Sequence, residues 1–88
     1  MYEFSIEENL QKKLKKLFKK DKIMYEILMK KFEEIIMCED INHYKNLRKP
    51  LQEYKRVHIK SSFVLIFKFI QGKNEVSFYD FNHHDIVY

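Results

Sequence analysis

Apolar residues recur every three to four positions between Leu10 and Ile36, and about every second position from Tyr54 to Phe81. The first spacing marks one stripe of a helix, and the second marks one face of a strand. The helical half divides in two. Leu10, Leu14, Leu17 and Phe18 form the apolar stripe of a first helix, opposite Lys12, Lys13, Lys15, Lys16, Lys19 and Lys20. That lysine run reads as the wet face of an amphipathic helix. Ser5 and Glu8 have capping-box spacing, which predicts a start near Ile6. Asp21 is placed to cap a second helix running to about Met37, with Met24, Ile27, Leu28, Phe32, Ile35 and Ile36 on its apolar side. Its methionines read as core filler. So short a junction predicts an antiparallel helical hairpin.

The strand half is as regular. YEFSI (2–6) reads as a short strand ahead of the helices. YKRVHI (54–59) sends Val57 and Ile59 to one face, and Arg56 and His58 to the other. SFVLIFKFI (62–70) is apolar on both faces in its middle, which predicts a central strand covered on both sides. QGKN, with the chain's only glycine at Gly72, marks a hairpin turn, and EVSFYDFN (75–82) returns. Cys38 to Glu53 has no clear period and contains Pro50; it predicts a connection with a helical turn around Asn42–Leu47. The order is β–α–α–β–β–β. The expected fold is α+β: one domain over residues 1–88, with a helical hairpin on a small, largely antiparallel twisted sheet. The second face of the sheet is less covered and can form a concave site.

Composition narrows the picture. A chain of 88 residues can bury one modest core without staples. The single cysteine, Cys38, excludes an intramolecular disulfide and a Cys-rich zinc cage. It is expected half-buried at a helix end and inert, which suits a reducing cytosol. No apolar run approaches ~18 residues, so no membrane span is expected. The acidic start MYEFSIEEN lacks the basic and apolar regions of a signal peptide. These features predict a cytoplasmic protein.

Net charge is +4, and its distribution is uneven. Residues 1–40 hold nine Lys against nine acids, whereas residues 41–88 hold eight Lys or Arg against four acids. Lys45, Arg48, Lys49, Lys55, Arg56 and Lys60 are opposed within that stretch only by Glu53. A positive cluster confined to one segment can attract a polyanion, and the plainer reading is a solvated basic surface.

The ending FYDFNHHDIVY gathers His83, His84, Asp85 and Tyr88. An imidazole can give and take a proton near neutral pH. A metal site would need three converging ligands, and neighbours on a strand diverge, so no metal is expected there. Arg56 and His58 share a strand face, and a guanidinium offers a fixed fork of donors for phosphate oxygens.

Two segments carry a resemblance. K-x-L-x-x-Y-K-R-V-H-I (49–59) and H-x-I-V-Y (84–88), in this order of elements, resemble the RelE/ParE superfamily of type II toxin–antitoxin toxins, and most of all the RelE/YafQ-type messenger-RNA interferases. The resemblance covers nearly the whole chain. It implies a toxin that cleaves messenger RNA on the ribosome without a metal or other cofactor. The RNA's own 2′-hydroxyl attacks the neighbouring phosphorus, leaving a 2′,3′-cyclic phosphate and a 5′-hydroxyl. His84 matches the family's C-terminal histidine and becomes the first candidate for acid or base, with His58 next. Arg56 matches the strand arginine that contacts phosphate. Lys49, Lys55 and Lys60 are candidates to supplement the charge, and Tyr88 matches the aromatic that stacks on a base. Implied partners are a RelB-like antitoxin, the ribosome and messenger RNA. One departure stands out: Val64 occupies a third-strand position where many members carry arginine. It leaves room for reduced or lost nuclease activity and so for a catalytically weakened binding member of the fold; the other alternative, a ParE-like gyrase inhibitor, is one that His84 and Tyr88 argue against.

Overall fold

The computed structural model describes residues 1–85. Strand β1 (Glu3–Ile6) leads into helices α1 (Glu8–Lys20) and α2 (Lys22–Met37), followed by β2 (Tyr54–Ile59), β3 (Phe63–Ile70) and β4 (Glu75–His83). The sheet order is β1-β4-β3-β2, with β1 parallel to β4 and the other pairs antiparallel. The two helices pack on one face.

Each helix forms where its stripe predicted, but the two starts differ. Asp21 caps α2, its carboxylate accepting the Met24 N–H at 3.0 Å. Ser5 caps nothing. Its hydroxyl bonds Glu75 at 3.0 Å, because parallel pairing of Ser5 with Ser77 and Ile6 with Phe78 holds the chain extended through Ile6. The first helix therefore begins at Glu8 with no side-chain cap. Leu10, Leu14, Met24, Leu28, Phe32 and Ile35 meet Ile59, Leu65, Phe67, Val76, Phe78 and Phe81 in the main core. Phe18 lies outside it, 47% exposed, edge-on to Tyr25 at 5.0 Å. Of the methionines, Met24 is core, whereas Met37 is exposed at the helix end.

The other face of the sheet carries a smaller cluster. Leu47 reaches over Val64 and Ile66 beside Tyr54, so β3 is covered on both faces as its sequence predicted. Leu47 arrives there because residues 45–47 pair along the outer edge of β2. The Arg56 N–H donates to Lys45 O at 3.0 Å and the Leu47 N–H to Tyr54 O at 2.9 Å. The helical turn of this connection is a short 3-10 turn at Ile41–His43, earlier than expected. Between β3 and β4, a second 3-10 turn (Gln71–Lys73) contains Gly72, but the left-handed residue is Asn74, with φ 52°.

A β-bulge shapes β4. Ile66 pairs with Asp80 and Phe67 with Phe78, leaving Tyr79 extra. The buried apolar residues of β4 therefore change parity, from Val76 and Phe78 to Phe81. This shift fixes which way the residues after Phe81 point.

Candidate functional site

Alternation along β2 separates its cations. Lys55, Val57 and Ile59 face the helices. Lys55 is only 5% exposed, and its Nζ donates to Tyr44 O at 3.3 Å and Asn46 Oδ1 at 3.0 Å. Burial pushes its pKa below the usual ammonium value, opposed by the charge of Asp40. Lys55 is therefore removed from the candidate substrate-binding set: it is a buried structural lysine on the wrong face.

Arg56 and His58 face the other way. Arg56 forms a shared wall between two clefts. One, of about 450 Å³, is bordered by Arg48, Lys49, Pro50 and Leu51. The other, of about 290 Å³, is bordered by His43, Tyr44, Lys45 and His58. Three cations thus surround the first cleft. Glu53, the acid nearest in sequence, is drawn instead to Lys68 at 3.6 Å. Among the described residues, Arg48, Lys49 and Arg56 have no carboxylate within ion-pair distance. Lys45, Arg48 and Arg56 come together because the 45–47 segment folds back on β2. His43 is a further member that the sequence did not single out as a site residue. Its Nδ1 lies 2.7 Å from Asp40 O and its ring packs on Tyr44 at 4.0 Å.

His84 sits elsewhere, at the end of the sheet. Its N–H donates to Ser62 O at 2.8 Å, and its Nδ1 lies 3.1 Å from the same oxygen. A carbonyl only accepts, so Nδ1 carries the proton and Nε2 is the nitrogen left to work. Arg56 pairs with Ile66, four residues from Ser62 along β3. From strand dimensions the two sites lie ~13 Å apart along the sheet and ~10 Å across it. His58, paired with Val64, falls between them. Lys60, left-handed at φ 56°, is exposed in the turn beside Ser62 and shares the His84 end. Val64 is 3% exposed under Leu47, so an apolar contact fills the position where the resemblance implies arginine. Tyr88 lies outside the described residues.

His83 and His84 do not diverge. The strand ends at His83, and the turn at His84–Asp85 brings the two rings to 5.1 Å, nearly parallel. Asp85 approaches His83 Nδ1 at 3.4 Å and His84 Nε2 at 3.2 Å. The expectation of opposed faces assumed an extended chain, and the turn removes that premise. Elsewhere, burial followed by the charge of Asp40 raises the pKa of Cys38, a half-buried helix-end thiol that stays protonated near neutral pH.

A helical hairpin packed on one face of this four-stranded mixed sheet is the fold of the small RelE-like toxins. The chain is 49% identical over 88 residues to a Methanocaldococcus jannaschii protein named "Putative toxin RelE4", covering all of this chain and 92% of that one. A Methanosarcina mazei protein is 41% identical over the full length of both. Among solved structures, a metal-bound toxin from Helicobacter pylori superposes with a TM-score of 0.79 at 19% identity, covering both chains completely. The isolated E. coli RelE toxin gives 0.73 at 23% identity, over 94% of this chain and 84% of that one. No protein-family model matches the chain. The chain belongs to the RelE family of toxins of toxin–antitoxin systems.

Proposed function

We propose that this toxin is a ribosome-dependent messenger-RNA endonuclease that works without a metal cofactor. The observation that carries the reading is the Arg48, Lys49 and Arg56 cluster, three cations around one cleft without an acidic partner among the described residues. Such a cluster suits an RNA backbone, and the reaction needs cations where negative charge grows on phosphate oxygens. A base takes the proton from the 2′-hydroxyl, whose oxygen then bonds the adjacent phosphorus. The bond from phosphorus to the 5′-oxygen breaks, and an acid protonates that oxygen. The products are a 2′,3′-cyclic phosphate and a 5′-hydroxyl.

In this reading His84 transfers a proton through Nε2, with Lys60 beside it, and His58 is the second candidate for acid or base. Because Arg56 is set apart from His84, this reading gives Arg56 the role of gripping the backbone, and it reaches the scissile phosphate only if both side chains extend toward each other. Lys49 adds to the same grip, and Tyr88 is the candidate for stacking on a base. A cognate antitoxin covering the cationic cleft would silence the toxin. An E. coli RelBE toxin–antitoxin complex shares the fold, with a TM-score of 0.71 at 22% identity.

Expression of wild type beside His84→Ala, with mapping of RNA ends, tests the proposal. Wild type should arrest translation and leave cyclic-phosphate ends, and His84→Ala should do neither. Arrest with intact messages and altered plasmid supercoiling would point to gyrase instead. Intact messages without arrest would support a weakened binding member, the reading that the burial of Val64 under Leu47 favours.

A further inference from the structure

The donors at the end of β4 face one another in a way that leaves room for a cation. His84 Nδ1 holds its proton toward the Ser62 carbonyl, so Nε2 presents a lone pair, and that lone pair faces Asp85 Oδ1 at 3.2 Å. His83 Nδ1 spends its one lone pair on the Asp85 N–H at 3.3 Å and lies 3.4 Å from Asp85 Oδ2, so a metal ligated there would replace that long hydrogen bond. Electron-rich atoms therefore confront each other where His84 Nε2 meets Asp85 Oδ1, and a positive charge there, a proton or a metal ion, relieves the conflict. The spacing fits a metal. Ligands at roughly 2.0–2.1 Å from a tetrahedral zinc stand roughly 3.3 Å from each other. Each imidazole already stands at about that length from one carboxylate oxygen, His83 from Oδ2 and His84 from Oδ1, and one ligand atom from each of the three residues lies within 4.8 Å of the others, close enough to converge on one ion with a small side-chain shift.

The surroundings also suit a metal. Histidine ligands usually donate their other ring N–H to a carbonyl or carboxylate, which fixes the tautomer. Ser62 O already does this for His84, and Phe63 holds the His83 ring edge-on at 5.4 Å. All three residues are exposed, so an ion has access and water can complete its coordination. Two imidazoles and one carboxylate favour a borderline divalent ion over a hard one such as Mg²⁺.

We propose that His83, His84 and Asp85 bind one Zn²⁺-like divalent ion, and that the bound ion occupies His84 Nε2 and blocks it as a proton-transfer group. The binding half stands on these distances alone; the blocking half rests on the role given to His84 under Proposed function. The site would make the toxin a nuclease that zinc restrains.

Calorimetry with ZnCl₂ on the full chain tests the binding half. Wild type should take up one ion. His83→Ala, which keeps the proposed nuclease groups, should bind at least roughly tenfold more weakly, since losing a ligand costs no less than losing an outer-shell partner. His58→Ala should bind as wild type does. Circular dichroism on each variant separates lost binding from lost folding. Equal zinc affinity in wild type and folded His83→Ala, or a loss confined to His58→Ala, would overturn the site. For the blocking half, zinc should inhibit RNA cleavage by wild type, chelation should restore it, and His83→Ala should cleave with or without zinc. Zinc bound at the site with undiminished cleavage would overturn the regulatory role. If wild type cleaves no RNA in the absence of zinc, the nuclease reading fails, and calorimetry alone decides the site.

Discussion

Between Lys55 and Arg56 the backbone sends one cation into the protein and the next to the open face, and their substitutions should behave differently. The Lys55 side chain fills space beside Tyr44 and its Nζ supplies hydrogen bonds to Tyr44 O and Asn46 Oδ1. Lys55→Ala removes the packing of the stem as well as the donor, and should cost about 1–3 kcal/mol in urea unfolding. Lys55→Met keeps the volume and should stay within about 1.5 kcal/mol of wild type. The pH dependence has a definite sign. Burial lowers the Lys55 pKa, so the unfolded chain binds more protons than the native one between the lowered value and the ordinary ~10.4. Stability from this group therefore rises with pH across that window and falls again as pH drops through the native pKa. Unfolding midpoints of wild type and Lys55→Met, compared from neutral to alkaline pH, should show that component only in wild type. Strand alternation made the split between Val57 and Arg56 legible. It did not keep Lys55 out of the substrate set, because a lysine in a strand reads as surface until the 44–46 segment is known to cover it.

At the level of elements, the helices and β2 to β4 were legible because their apolar spacing agrees with the face each element buries. Two boundary signals pointed to the wrong residue. Ser5 and Glu8 have the spacing of a cap, but the register of β1 against β4 holds Ser5 in the sheet. Gly72 looks like the residue a turn needs, yet Asn74 takes the left-handed conformation. Gly72→Ala should therefore be tolerated, or stabilise by roughly 0.4–1 kcal/mol, since a Cβ there meets nothing within 4 Å. Asn74→Val should cost roughly 1–2 kcal/mol, because a β-branched residue resists that backbone region. Asp21→Ala should cost about 1 kcal/mol through loss of the α2 cap. Chemical denaturation of the three variants checks all of these together. The bulge at Tyr79 and the turn after His83 had no signal of comparable strength, and they decide where the terminal histidines point.

Across the whole molecule, the cationic cleft joins residues from separate stretches. Charge counting located the basic half of the chain but not the cleft, because Lys45, Arg48 and Lys49 reach Arg56 only when the 45–47 segment pairs with the edge of β2. His43 joins them by the same fold-back. The gathering has a consequence for binding. Single-strand RNA affinity should fall with salt, and the double variant Arg48→Ala with Lys49→Ala should reduce the slope of log K against log salt by about 1.4, roughly 0.7 for each phosphate no longer neutralised. Filter binding over a salt series reads that slope. His84→Ala, at the far end of the sheet, should leave it unchanged.

The proposed division between a cleft that holds RNA and a histidine that moves a proton is tested most directly by single-turnover cleavage of messenger RNA on programmed ribosomes, using purified wild type, Arg56→Ala and His84→Ala over a range of RNA concentrations up to saturation. His84→Ala should slow cleavage by roughly 10²–10⁴-fold, the usual worth of a positioned acid or base. Arg56→Ala should mainly raise the RNA concentration needed to saturate. Wild-type cleavage rates in folded His84→Ala would contradict the account.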